Sequence, residues 1–364
     1  MKVKDIILVL EKFAPLALQE SWDNSGLITG NEEELIDSVL LSLDVTEKVI
    51  DEAVEKGAGM IVSHHPPVFR GLKRFTGHTP EERIVIKALR HNIALYSSHT
   101  NFDNAGEGVN RIICRKLELK NLRVLVPSPG KLRKLAVFVP KDHLQNVRQA
   151  MFNAGAGHIG EYDSCSFNLE GEGTFRALEG ADPFVGKTGE MHTEKETRVE
   201  TIYPSYLENA IIRAMVSAHP YEEVAYDIYP LENTSNEWGA GMVGLAGEPV
   251  DEKEFLLKLK EVFGTPVLRH TALLGRKVSK VAVCGGSGSS LLPEALREGA
   301  GIFISSDFKY HQFFEAAGKT VIADVGHYES EQFTLEIFYE LITKKFPKFA
   351  VHFAETSSNP INYM

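Results

Sequence analysis

The chain has 364 residues, 43% of them hydrophobic, with a formal net charge of -11, which is too long for one ordinary domain and ample for a buried core. That charge argues against a nucleic-acid partner, which needs clustered Lys and Arg, but leaves room for a local pocket for a nucleotide. No apolar run approaches the roughly eighteen residues of a membrane span and Met1-Lys2-Val3-Lys4-Asp5 carries no leader, so no membrane partner is expected.

The three cysteines, Cys114, Cys165 and Cys284, are scattered. They point to a reducing, cytoplasmic setting and lack the CxxC spacing of a structural zinc site. Any metal must rest on His, Asp and Glu.

In chain order, Ile6, Ile7, Leu10 and Phe13 have helical spacing. Residues 39–43 read as a strand ending at Asp44, and 49–56 as a helix closed by Gly57. Residues 60–63 form the next strand, 81–91 a helix and 93–97 another strand. This alternation predicts a largely parallel sheet covered by helices. Residues 131–233 change texture. Strands at 135–139, 166–176, 199–203 and 225–229, with helices at 147–153 and 207–217, give the βαββαβ order of a ferredoxin-like unit. The polar, glycine-bearing stretch 180–196 reads as a loop. The α/β pattern then resumes with strands at 281–284, 301–305 and 320–324, a helix at 291–297, and an amphipathic helix marked by Phe333, Ile337 and Leu341.

The outer regions look like an internal repeat. Residues 53–63 (AVEKGAGMIVS) align without gaps to 295–305 (ALREGAGIFIS). The expected fold is therefore α/β: two related halves form one layered domain, residues 1–130 and 234–364, interrupted by a ferredoxin-like α+β insertion at 131–233.

The chemistry gathers at strand ends. Ser63-His64-His65-Pro66-Pro67 closes a buried strand, where open α/β sheets place their ligands. Neighbouring side chains on a strand face opposite ways, so both imidazoles can share one site only if the chain turns there. Each half also carries His-x-x-x-carboxylate after a strand: His99 with Asp103, and His327 with Glu331. Ser330 reads as an N-cap, with Glu331 in the first turn that follows. His64, His65, Asp103, His327 and Glu331 together offer three imidazoles and two carboxylates. That set suits two divalent metals per subunit, with zinc the leading candidate and iron or manganese the alternatives, and a carboxylate bridging them. The run 284–290 (CGGSGSS) fits either an anion cradle at a helix start or an ordinary tight turn, and it lacks the lysine of a P-loop. The polar run around Trp22 either lines a pocket or caps the first helix.

Five motifs in order carry a resemblance: Ser21-Trp22-Asp23-Asn24-Ser25-Gly26-Leu27, Leu41-Ser42-Leu43-Asp44-Val45-Thr46, Ser63-His64-His65-Pro66-Pro67, His99-Thr100-Asn101-Phe102-Asp103 and Gly326-His327-Tyr328-Glu329-Ser330-Glu331. The chain resembles the dinuclear metal-centre family called GTP cyclohydrolase 1 type 2 homologues. The resemblance implies metal ligands at His64, His65, Asp103, His327 and Glu331, with His99 a pocket residue outside the usual ligand set. It also implies a toroidal homohexamer whose metal sites face an inner cavity. The middle segment, through His219-Pro220-Tyr221-Glu222-Glu223, is similar to the PII- and CutA-like insertion of the longer bacterial members. On this resemblance the expected activity is metal-dependent hydrolysis of a nucleotide-like substrate, with GTP opened at C8 as the family label implies, and His99 moving protons. The alternative is a non-catalytic regulatory or metal-handling hexamer with a ligand-sensing insertion.

Overall fold

Val3, Ile6, Ile7 and Leu10 fall on one stripe of α1 (Val3–Phe13), and that stripe is buried. The structure is a computed structural model that describes residues 1–364. The chain divides into two compact units, Met1–Pro127 with Asn236–Met364, and Ser128–Ser235.

The first unit begins with α1, β1 (Gly26–Thr29), β2 (Ser38–Ser42), α2 (Glu47–Glu55), β3 (Met60–Ser63), α3 (Pro80–Arg90), β4 (Ala94–Ser97), α4 (Thr100–Asp103), α5 (Val109–Lys116) and β5 (Lys120–Pro127). The second unit comprises β6 (Leu132–Pro140), α6 (Leu144–Asn153), β7 (Phe167–Arg176), β8 (Met191–Pro204), α7 (Glu208–Ala218) and β9 (Tyr226–Leu231). The first unit then resumes with β10 (Gly239–Asp251), α8 (Glu252–Phe263), β11 (Arg269–His270), β12 (Lys277–Val283), α9 (Leu292–Arg297), β13 (Ile302–Ser305), β14 (Val321–Asp324), α10 (His327–Glu331), α11 (Thr334–Lys345) and β15 (Ala350–Phe353). No helix is long and apolar enough to cross a membrane.

The first unit holds two sheets, in the orders β1-β4-β3-β2-β15 and β11-β14-β13-β12-β10-β5. In the first, β2, β3 and β4 are parallel and β1 lies antiparallel on β4. In the second, β12, β13 and β14 are parallel and β11 lies antiparallel on β14. The same β-α-β unit with one reversed edge strand thus occurs twice, and the repeated segments 53–63 and 295–305 fall on α2–β3 and α9–β13. Period-two alternation splits each strand between two cores. Leu41, Val62 and Tyr96 share a core with Val283, Ile304 and Ala323 of the other sheet, together with α1, α5, α8 and α11. Leu40, Ile61 and Leu95 pack outward against α2 and α3, while Ala282, Phe303 and Ile322 pack against α9. Helices between and outside the two sheets account for strands that are apolar throughout.

The second unit is one antiparallel sheet in the order β7-β8-β6-β9. Its connectivity is βαββαβ, and its core joins Leu135, Val137 and Val199 to Val147, Met151, Ile211 and Met215 of α6 and α7. The stretch expected as a loop at 180–196 is corrected here. Its last six residues begin β8, where Met191, His192 and Thr193 pair with Arg176, Phe175 and Thr174 of β7. This end of the ribbon lies beyond the core, so its residues are polar and carry no hydrophobic signature of a strand.

Candidate metal centre

Three strand ends of the first unit, those of β3, β4 and β14, converge on one cluster. After β3 the chain bends, and Ser63 Oγ donates to the His65 carbonyl (2.9 Å). The bend lets both neighbouring imidazoles face the same site, with ring centroids 4.9 Å apart. His99 precedes α4 and Asp103 ends it, while His327 opens α10 and Glu331 closes it one turn later. Gly326, at φ 97°, caps α10. Ser330 therefore lies inside this helix rather than capping the next one. Its hydroxyl donates to the His327 carbonyl (2.8 Å) and accepts from the Gly286 amide (2.9 Å).

Every imidazole commits Nδ1 to an oxygen and leaves Nε2 for the cluster. His64 Nδ1 donates to the Ser98 carbonyl (2.9 Å), His65 Nδ1 to Asp44 (2.8 Å), His99 Nδ1 to Asp23 (2.8 Å) and His327 Nδ1 to Asp307 (2.7 Å). Such outer partners fix tautomer and ring orientation for metal-ligating histidines. On the inner side, His65 Nε2 and His327 Nε2 stand 3.2 Å apart, at 2.9 and 3.0 Å from Glu331 Oε2. The donors of a tetrahedral ion with bonds of about 2.0 Å are separated by roughly 3.3 Å, so this triangle is the size a small divalent cation requires. A second triangle is wider. His64 Nε2 lies 3.6 Å from both Asp103 Oδ1 and Glu331 Oε1. His64 Nε2 and Asp103 Oδ1 are buried with no hydrogen-bond partner. Orphaned buried polar atoms facing one another are costly unless something polar completes them. Three groups of side chains could hold a metal ion: His65, His327 and Glu331; His64, Asp103 and Glu331; and His64, His65 and His99.

The electrostatics follow from the same contacts. Burial pushes the His64 imidazolium down to about 4. Burial works against charge on His65 as well, but its bonds to Asp44 and Glu331 prevail and raise it to about 10. His327 behaves likewise: burial is outweighed by Glu331 and Asp307, and it rises to about 9. Asp103 is held well above the carboxylate range by burial and by the nearby Glu331 charge. Burial opposes ionisation of Glu331 too, yet His64 and the other imidazoles hold it well below its ordinary value.

The glycine run after β12 serves this carboxylate. The amides of Gly285, Gly286 and Gly288 donate to Asn110 Oδ1, Ser330 Oγ and Ser305 Oγ at 2.8, 2.9 and 2.9 Å. They face the protein, which favours the tight turn over the anion cradle. Gly286 sits at φ 64°, and a Cβ built there would overlap the Glu331 carboxylate. Gly286→Ala is expected to lower metal affinity at least about tenfold by displacing Glu331, and to destabilise by about 1–3 kcal/mol through strain and overpacking. Chelator competition and urea denaturation would read the two effects separately.

The cluster opens into a cavity of about 870 Å³, lined among others by Trp22, Phe69, His99 and Asp103. The exposed rings of Trp22 and Phe69 stand edge-on to His99, at 5.8 and 5.6 Å. The polar run around Trp22 thus lines the pocket, and its Asp23 also accepts from the Thr100 amide (3.0 Å).

All six residues singled out in the sequence meet at this site. Asp44 and Asp307, the carboxylates behind His65 and His327, had no role assigned from the sequence. Extending the repeat by two residues would have exposed one of them, because Ser63-His64-His65 then aligns with Ser305-Ser306-Asp307.

Fold and cluster together define an α/β protein with a buried histidine–carboxylate centre able to hold a metal ion. The chain belongs to the Duf34/NIF3 (NGG1p interacting factor 3) family, whose model matches residues 1–360. A Bacillus subtilis protein described as a GTP cyclohydrolase 1 type 2 homolog is 42% identical over 372 aligned residues, covering 99% of this chain and 98% of that one. A Bacillus cereus protein related to NIF3, of known crystal structure, superposes with a TM-score of 0.87 at 36% identity, covering 100% of this chain and 99% of that one. A Staphylococcus aureus crystal structure gives a TM-score of 0.78 at 25% identity over 100% and 99% of the two chains.

Proposed function

We propose that the chain holds two divalent metal ions, zinc first among them, and uses them to hydrolyse a nucleotide-like substrate. The observation that carries this reading is the placement of Glu331. Its Oε2 belongs to the triangle with His65 and His327, and its Oε1 faces His64, beside Asp103. One carboxylate serving two donor sets is the arrangement of a bridged two-metal site. Ions bound there would supply Lewis acidity and lower the pKa of a coordinated water. The chain's own residues would do the rest. His99, held by Asp23, is placed to carry a proton at Nε2, and Trp22 and Phe69 offer apolar walls for a planar ring. The names of the curated relatives, as GTP cyclohydrolase 1 type 2 homologs, support a purine nucleotide as the first substrate to try. A toroidal homohexamer is proposed on the same family grounds.

The test is turnover of GTP and of a phosphoester panel by protein loaded with zinc, iron or manganese. Activity that needs metal and falls at least about a hundredfold in His64→Ala supports the reading. A loaded protein that binds both ions tightly and turns over nothing favours the second reading, a regulatory or metal-handling protein. One feature supports that alternative. The second unit has its own cavity of about 780 Å³, walled by Phe138, Phe175, Phe184 and Tyr221, roomy enough for a small ligand.

A further inference from the structure

The last residues of the chain reach the outer layer of the metal centre from both sides. β15 pairs parallel with β2, so the chain leaves it near Asp44 at the end of β2. Beyond β15, the Glu355 and Thr356 amides donate to the buried Glu52 carboxylate at 2.8 and 2.9 Å, and Lys56 pairs with Glu355 at 2.7 Å. Ser358 Oγ then donates to Asp44 Oδ2 (2.8 Å). The other oxygen of Asp44 holds His65. One residue on, Asn359 Nδ2 donates to Glu329 Oε1 (3.2 Å). Glu329 is buried in α10, between His327 and Glu331. Asp44 belongs to the first half of the duplicated domain and α10 to the second. No other requirement of the fold is evident at Ser358, since the segment from residue 357 onward buries no apolar core side chain.

We propose that residues 355–363 act as a clip that joins the two halves of the centre, with Ser358 and Asn359 as positioning residues for His65 and for α10. Their action is indirect. Ser358 fixes the Asp44 carboxylate, Asp44 fixes the ring plane of His65, and Asn359 fixes the helix that carries His327 and Glu331. The clip sets the spacing between donors contributed by different halves, which a bridged site tolerates only within a few tenths of an ångström. The inference rests on the metal reading above.

The experiment is zinc binding by the full-length chain, read as a dissociation constant by chelator competition and as ions per chain by elemental analysis. Ser358→Ala is expected to weaken zinc binding about three- to tenfold, as loss of one hydrogen bond in an outer shell should. Ser358→Thr, which keeps the hydroxyl, is expected to restore binding. Deleting residues 357–364 removes both contacts, and is expected to weaken one of the two ions at least about tenfold. The metal-free unfolding midpoint of Ser358→Ala should match the parent. Tail variants that bind zinc as tightly as the parent overturn the clip alone. So does a loss that Ser358→Thr fails to restore, which would mark a packing defect. A parent chain that takes up no zinc overturns the metal reading and the clip with it.

Discussion

Glu331→Gln is expected to reduce metal affinity at least about a hundredfold and to destabilise the metal-free chain by about 3 kcal/mol. The first effect follows from geometry. Glu331 is the only side chain shared by both carboxylate-containing donor groups. An amide offers one weak oxygen donor where the carboxylate offers two charged ones, so both ions lose a ligand at once. The second effect follows from burial. Glu331 is 2% exposed, and its carboxylate faces His65 and His327, both held protonated near neutrality by their contacts with it. Removing one partner of a buried ion cluster costs about 3–5 kcal/mol, and release of a proton from an imidazole recovers part of that. Asp103→Asn provides the contrast. Asp103 joins only the group with His64 and Glu331. It should weaken one ion and leave the other, so elemental analysis should fall from two ions towards one. For Glu331→Gln the same measurement should fall towards none. A Glu331→Gln protein that retains both ions after dialysis would exclude the bridging role.

The inner residues of this centre were legible because the chemistry demanded unusual sequence. Adjacent histidines at a buried strand end, and two His-x-x-x-carboxylate spacings after apolar strands, are poor choices for a plain α/β turn. Duplication then told which strand ends meet. The outer carboxylates were harder. A single Asp after a strand, such as Asp44 or Asp307, is ordinary turn chemistry, and only the partner across the site distinguishes it. Ser330 misled for a related reason. A serine before an apolar helix reads as a cap, but Gly326 at positive φ starts α10 earlier, and Ser330 is drawn inward to hold Gly286. For Gly286 an anion cradle and a tight turn were equally open, because the sequence shows a glycine's freedom and not the neighbour that requires it. Strands were legible where burial made them apolar, as in β3, β4 and β13. They were not where pairing extends beyond a core, as in the first half of β8, or where glycines interrupt a strand, as in β10.

Zinc affinity should rise steeply with pH, by up to about a hundredfold per unit between pH 7 and 9, while the metal-free chain loses stability over the same interval. Both follow from His65 and His327. Their folded pKa values, about 10 and about 9, lie above the ordinary imidazole value of 6.5. At pH 7 each Nε2 carries a proton that an ion must displace. Each displaced proton contributes up to tenfold in affinity per pH unit, about 1.4 kcal/mol, until the group titrates. His64 adds nothing to this slope, since burial already keeps it neutral at pH 7. Without metal the sign reverses. A raised folded pKa stabilises fully below 6.5, and that contribution disappears as pH climbs through 9 and 10, because the folded chain binds more protons than the unfolded one. The stabilisation produced by zinc should therefore grow with pH as the affinity does, and the metal-free loss is the same proton linkage seen without the ion. Calorimetry in buffers of different ionisation enthalpy should count at least about two protons released on filling the centre at pH 7.5, one from each of His65 and His327, with any proton still held by the raised Asp103 carboxyl adding to them. Thermal unfolding with and without zinc should show the gap widening from pH 7 to 9. An affinity that stays flat across that range would mean that the two imidazoles are neutral before metal arrives. In that case the Glu331 carboxylate would be protonated or displaced in solution, and the bridged geometry would need the metal to form it.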